Sequence, residues 1–219
     1  MKKVAVVLSG CGVLDGAEIH EAVLTLLALD RRDAEIAVLA PDMPQMHVVN
    51  HLSGQAVEGR RNVLIEAARI ARGKISDLAQ ADIAEFDAVV FPGGFGVAKN
   101  LCDFAVKGPD CDVQPAVERF IRSALDAGKA MGFICIAPAL LARVAGSQGL
   151  HPRLTIGTDA DTATAVEKTG AVHVAAQVGD VVIDERLRIV STPAYMLGQR
   201  ISEVAVGIDR LVEKLLEMA

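Results

Sequence analysis

Short apolar runs and amphipathic stretches alternate along the whole chain. Residues 3–8, 35–40, 88–91 and 129–134 are runs of four to six mostly apolar residues, broken by Gly, Pro or charged positions. Runs of that length and character predict strands buried on both faces. Between them, residues 18–29, 62–72 and 113–127 carry apolar positions at helical spacing. Further along, 139–144, 162–169 and 201–217 predict helices, the last closing the chain as an amphipathic one. A short strand is expected to end near Ile156, and 181–183 with 188–190 form a pair of strands. Alternation of this kind implies right-handed βαβ crossovers and a doubly wound sheet between two helix layers. No linker, repeat or low-complexity stretch interrupts residues 1–219, so a single domain is expected.

Residues 41–61 break the pattern, with two Pro and two His and little periodicity. A loop of that length in a compact domain is usually functional. It leaves the carboxyl end of the second strand, the edge where open α/β sheets bind ligands. It is expected to wall the site, with His47, Asn50 or His51 as candidate lining residues.

Composition narrows the class. Hydrophobic residues make up 52% and aromatics 3%, with no Trp, so the core must be Val, Ile, Leu and Ala. A net charge of −6 argues against a nucleic-acid partner. The apolar stretch near Met1 is too short for a signal peptide, and no run approaches a membrane span, so a cytoplasmic protein with no membrane partner is expected. The four cysteines form no CxxC pair, and the five histidines do not pair with them at ligand spacing. Neither a disulfide framework nor a metal site is expected, and no cofactor is implied.

Candidate chemistry gathers at the predicted strand ends. Cys135 falls between the strand 129–134 and a helix whose first turn suits Pro138. A strand-to-helix turn lifts a nucleophile above the sheet and aims it at the N–H groups of the next helix. Those groups favour thiolate and can hold an oxyanion. The bland alternative is a buried core cysteine. Gly93 and Gly94 follow the strand 88–91 and allow close approach to a small ligand, and Gly94 with Ile136 is expected to supply the oxyanion N–H groups. Glu18 and Glu21 share a face at the start of the first helix, where a buried glutamate stays protonated and donates to a thiolate. The loop Ser9-Gly10-Cys11-Gly12-Val13-Leu14-Asp15-Gly16 sits where dinucleotide folds place a phosphate loop. It lacks the acidic residue that ends the second strand in such folds, so nicotinamide binding is not expected. Walker-type phosphate binding is absent. Cys11 lies on the same edge as Cys135. Cys102 and Cys111 read as structural. Tyr195, at a strand end, is within reach of the site but is assigned no role.

Phe133-Ile134-Cys135-Ile136-Ala137-Pro138, Pro92-Gly93-Gly94-Phe95-Gly96 and the glutamate-bearing first helix resemble the ThiJ/PfpI superfamily, which is similar to class I glutamine amidotransferase domains. The stretches 9–21, 61–70, 156–159 and 192–196 resemble its ElbB-type glyoxalase (sigma cross-reacting) branch. The resemblance implies a flavodoxin-like three-layer α/β/α sandwich, a homodimer, a catalytic Cys135 and a glutamate touching it. The family's spacing from glutamate to the turn before the second strand favours Glu21 over Glu18. Relatives that hydrolyse peptides or glutamine place a histidine directly after the cysteine or after the next strand. Here those positions are Ile136 and Gly157-Thr158-Asp159. Amide hydrolysis then lacks its usual proton carrier, which suits a carbonyl substrate. The function expected is a glutathione-independent, cofactor-free glyoxalase acting on glyoxal or a similar dicarbonyl. Cys135 and Glu21 would be catalytic; Gly93, Gly94, Ile136 and Glu18 would bind substrate. The alternatives are a redox-sensing or chaperone-like dimer, or an accessory protein linked to isoprenoid biosynthesis.

Overall fold

The computed structural model describes residues 1–219. In chain order the elements are β1 (Lys3–Val7), α1 (Ile19–Asp30), β2 (Glu35–Ala40), β3 (Val49–Asn50), β4 (Gln55–Ala56), α2 (Val63–Ile70), β5 (Ser76–Asp77), β6 (Ala88–Phe91), α3 (Phe104–Lys107), α4 (Pro115–Asp126), β7 (Ala130–Ile134), α5 (Ala137–Ser147), β8 (Arg153–Leu154), α6 (Ala160–Lys168), β9 (Val172–His173), β10 (Val182–Asp184), β11 (Ile189–Thr192) and α7 (Ile201–Met218). Seven strands form one sheet in the order β10-β11-β7-β6-β1-β2-β5. All neighbours are parallel except β10, which runs antiparallel to β11. β3–β4 and β8–β9 are small separate pairs.

The period of a strand splits the sheet's residues between two cores. Ala5, Val7, Val89, Phe91, Met131 and Phe133 face α4, α5 and α6. Val4, Val6, Leu8, Val90, Ile134 and Val190 face α1, α2 and α7. With apolar residues on both faces, the strands read as unbroken hydrophobic runs. The result is the flavodoxin-like three-layer α/β/α sandwich expected from the sequence. Phe91 and Phe133 stack across neighbouring strands with centroids 5.0 Å apart.

Element ends follow from capping. Glu18, Asn62, Gln114 and Asp159 each accept a backbone N–H from the first turn of the helix they precede. Those helices therefore start one residue after these caps. Three features depart from the expected pattern. The stretch 41–61 is not structureless, since it contains the β3–β4 pair. The strand expected to end near Ile156 stops at Leu154. A π-helical turn, Val97–Leu101, and α3 fill the crossover from β6 to α4.

Because β1, β6, β7 and β11 are parallel, their carboxyl ends meet at one edge. The turns starting at Ser9, Pro92, Cys135 and Pro193 come together there, where ligands of open α/β sheets bind.

Candidate active site

Cys135 is the only residue that joins β7 to the N-cap of α5, Ile136. So sharp a change of direction forces its backbone to φ 61°, the left-handed region. An L-residue there costs about 1–2 kcal/mol, a strain that marks functional elbows. The Cys135 N–H donates to the Thr192 carbonyl oxygen at 2.9 Å, fixing the turn against β11. The backbone N–H groups of Gly94 and Ile136 lie near the sulfur and favour its ionised form.

Glu21 reaches the thiol from α1. The buried face of that helix is Glu21, Ala22, Thr25, Ala28 and Leu29, so the carboxyl is packed on the sheet side with no exposure. Its Oε2 accepts the Gly93 N–H at 2.9 Å and its Oε1 accepts the Tyr195 N–H at 3.2 Å. The Cys135 thiol lies beside it, close enough for each group to act on the other's proton. Burial, reinforced by the neighbouring Glu18 carboxylate, pushes Glu21 up to about 8. At pH 7 it therefore carries a proton. Glu18 caps α1, its Oε2 accepting the Glu21 N–H at 2.7 Å, and its side chain also borders the cleft.

The sequence led to the expectation that the helix N-terminus would favour thiolate. The surroundings oppose it. Burial pushes the Cys135 thiol well above its usual range, and an ionised Glu21 pushes it further; the N–H groups of Gly94 and Ile136 pull it down. The burial cost exceeds what the donors return.

Two glycines make this proximity possible. A Cβ on Gly93 would lie 2.5 Å from the Cys135 Cβ and 2.6 Å from the Glu21 Oε2. Gly94 has φ 100°, and a Cβ there would collide with the backbone of Gly16 and Glu18. Gly93 is fully enclosed, and its N–H is spent on Glu21, so it orients the carboxyl. Gly94 borders the cleft and presents its N–H to the sulfur.

Cys135 lies at the base of a cleft of about 400 Å³, with Val13, Phe95, Phe104, Ile136, Tyr195 and Met196 among its mostly apolar walls. No histidine lines it. Phe104 comes from a segment that carried no recognisable motif, and Met196 ends the stretch 192–196 but was assigned no role. Tyr195 does border the cleft, and its hydroxyl lies 2.8 Å from the Nδ1 of His20.

The stretch 41–61 does not wall this cleft. It covers the first glycine loop instead: His51 Nε2 accepts the Leu14 N–H at 3.1 Å, and Asp15 Oδ2 accepts the Val49 N–H at 2.7 Å. His47 and Asn50 are exposed. Asn100, from the π-helical turn, ties the two loops. It donates to the carbonyl oxygens of Ser9 and Asp15 at 2.9 Å each and accepts the Met46 N–H at 2.9 Å. Cys11 does not border the cleft either; the charges that act on it are Glu66, Arg69, Asp15 and Arg61. All cysteines are free, and the Cys102 thiol donates to the Val97 carbonyl oxygen at 3.3 Å. No group of three or more acidic, His or Cys side chains is arranged to hold a metal ion.

Comparison with known proteins bears on the fold and the family. The model of the DJ-1/PfpI family matches residues 2–196. The human protein named glutamine amidotransferase-like class 1 domain-containing protein 3, mitochondrial, is 47% identical over 99% of this chain and 83% of its own. The zebrafish ES1 protein, mitochondrial, is 36% identical over 88% of this chain and 76% of its own. A crystal structure from Ehrlichia chaffeensis, described as an isoprenoid biosynthesis protein with an amidotransferase-like domain, superposes with a TM-score of 0.94 at 36% identity, covering 100% of this chain and 99% of that one. These names support the superfamily and not the narrower glyoxalase branch, which none of them carries. On the extent of these matches, from the first strand to the turn that holds Tyr195, the chain belongs to the DJ-1/PfpI family, with its class I glutamine amidotransferase-like fold.

Proposed function

We propose that this chain is a cofactor-free, glutathione-independent glyoxalase that converts glyoxal, or a similar small dicarbonyl, to a hydroxy acid. The observation that carries the reading is a buried carboxyl, protonated at pH 7, beside a thiol that lines an apolar cleft. Such a carboxyl can give and take a proton during carbonyl chemistry at neutral pH. With no imidazole in the cleft, a leaving amine has no ready proton donor, which disfavours amide hydrolysis.

The steps use this chain's own groups and water. The Cys135 sulfur bonds to one aldehyde carbon of glyoxal while the thiol proton passes to the aldehyde oxygen through Glu21. The N–H groups of Gly94 and Ile136 hold the developing oxyanion. Glu21 then gives its proton to the second carbonyl oxygen while its other oxygen takes the proton from the carbon bonded to sulfur, forming an enediol; it next gives that proton to the second carbon and takes one from the first hydroxyl. The first carbon is thereby oxidised to a thioester and the second reduced to an alcohol. Water cleaves the thioester, releasing glycolate and restoring the thiol. Overall, glyoxal plus water gives glycolate with no external oxidant or reductant. The test is glycolate formation from glyoxal without glutathione. The native chain should form it and Cys135→Ala should not; a fully active Cys135→Ala would sink the scheme.

The same proposal includes a homodimer and residence in the cytoplasm. Ile19, Val23 and Leu27 form an exposed apolar stripe on α1, 39–47% accessible, of the kind that marks interfaces. No helix is long and apolar enough to cross a membrane. The human and zebrafish relatives carry mitochondrial names.

A second reading, an accessory role in isoprenoid biosynthesis, is favoured by the description of the Ehrlichia protein. Rescue of isoprenoid levels in a deletion strain by Cys135→Ala would favour it over catalysis. The redox-sensing alternative has less support, since a sensor needs a readily formed thiolate and the surroundings of Cys135 oppose one.

A further inference from the structure

An imidazole reaches the cleft indirectly. His20 precedes Glu21 on α1, so one helical step turns it from the buried face to the exposed one. Its Nδ1 lies 2.8 Å from the Tyr195 hydroxyl, with the rings 5.8 Å apart and tilted by 45°. Tyr195 is the chain's one tyrosine and borders the cleft together with Cys135. It is tied at both ends, because its backbone N–H donates to the Glu21 Oε1. The residue before it, Ala194, is fully buried and held at φ 45°, a left-handed strain that fixes the turn carrying Tyr195. Besides Cys135, the polar side chains bordering the cleft are Glu18, Thr162 and Tyr195. Glu18 already caps α1. Burial, with the carboxylates of Glu18 and Glu21, pushes the Tyr195 hydroxyl up, so it keeps its proton and remains a donor.

We propose that Tyr195, oriented by His20, donates its hydroxyl to the second carbonyl oxygen of a dicarbonyl bound through Cys135, so that the cleft selects dicarbonyls over simple aldehydes. In the tautomer with its hydrogen on Nδ1, His20 donates to the Tyr195 oxygen and the hydroxyl hydrogen is left for the ligand. Gly94 and Ile136 serve the oxygen on the carbon bonded to sulfur; Tyr195 serves the oxygen one carbon further on. His20 is a positioning residue, since it touches Tyr195 and does not border the cleft. This inference deepens the glyoxalase reading and rests on it for the attack by Cys135.

The test measures how far glyoxal or acetaldehyde protects Cys135 from alkylation by iodoacetamide, read on the Cys135 peptide by mass spectrometry. Protection needs only the reversible adduct. Tyr195→Phe keeps the ring and the N–H to Glu21. It should weaken protection by glyoxal about tenfold, the worth of one hydrogen bond. Protection by acetaldehyde, and the alkylation rate without aldehyde, should not change. His20→Ala should weaken glyoxal protection in the same direction, and His20→Asn, whose amide nitrogen can stand near the Nδ1 position, should restore part of it. Equal glyoxal protection in the native chain and Tyr195→Phe overturns the inference, as does an equal loss for both aldehydes. Selective loss in a chain that forms no glycolate overturns the turnover reading and leaves the role of Tyr195 standing. No protection of the native thiol by glyoxal overturns both.

Discussion

Glu21 keeps its proton at pH 7 because the N–H groups of Gly93 and Tyr195 do not repay the cost of burying a carboxylate beside Glu18. This has a thermodynamic signature. Between the ordinary value of 4.5 and about 8, the folded chain holds a proton here that the unfolded chain has released. Stability from this group is therefore complete below the lower value and lost as pH rises through the upper one. Thermal melts of the native chain should fall more steeply from pH 5 to pH 9 than those of Glu21→Gln, which has no such proton. Parallel profiles would contradict the assignment. The variant should already be less stable at pH 5, by about 1–3 kcal/mol, because its amide must turn an NH₂ toward one of two backbone donors. Gly93→Ala tests the same contact sterically. Its Cβ would lie 2.5 Å from the Cys135 Cβ, so both stability, by about 1–3 kcal/mol, and alkylation of Cys135 should suffer. The choice of Glu21 over Glu18 rested on the family's spacing and was not legible in the helix alone: Ile19, Val23 and Leu27 are apolar yet exposed, so apolar spacing does not mark the buried face of α1, on which Glu21 lies with Ala22, Thr25, Ala28 and Leu29.

At the scale of elements, the elbow between β7 and α5 stores strain for the sake of the thiol. Cys135→Gly and Cys135→Ala should both be inactive, yet the glycine variant should be the more stable, by about 1 kcal/mol, because φ 61° costs glycine nothing. Chemical denaturation of the pair decides it; an alanine variant equal to or above the glycine one would mean that the turn is unstrained. Asn100 makes a comparable case for the loops. Asn100→Leu would leave the Ser9 and Asp15 carbonyls and the Met46 N–H without their partner, and should cost about 1–3 kcal/mol for each group left unsatisfied. Which elements the sequence disclosed follows from their length and burial. β1, β2, β6 and β7 are continuous apolar runs because both faces are covered, and such runs are visible. β5 is a two-residue polar edge, Ser76–Asp77, with no period to detect. β3 and β4 are equally short, so 41–61 looked structureless and its contact with the first glycine loop was hidden. The π-helical turn at Val97–Leu101 has no sequence signature, and with it went Asn100, whose value lies in which loops it joins.

For the whole molecule, parallel strands bring the ends of β1, β6, β7 and β11 to one edge, and the site is built from turns distant in sequence. Motifs disclosed Cys135, Gly94 and Glu21. The link from His20 through Tyr195 was not disclosed, since residues 175 apart meet only in the fold. The stripe Ile19, Val23, Leu27 belongs to this scale as well: if it seats a second copy, Val23→Asp should shift the chain toward monomer in sedimentation, and an unchanged mass would place the interface elsewhere. The central claim is that the buried thiol and carboxyl act as one catalytic unit. The most direct measurement is kcat/KM for glycolate formation from glyoxal, without glutathione, for the native chain, Cys135→Ala and Glu21→Gln, each checked for folding. The account predicts turnover by the native chain, none by Cys135→Ala, and a loss of about a hundredfold or more for Glu21→Gln, the share of a positioned proton carrier. A folded Glu21→Gln with native turnover would contradict it.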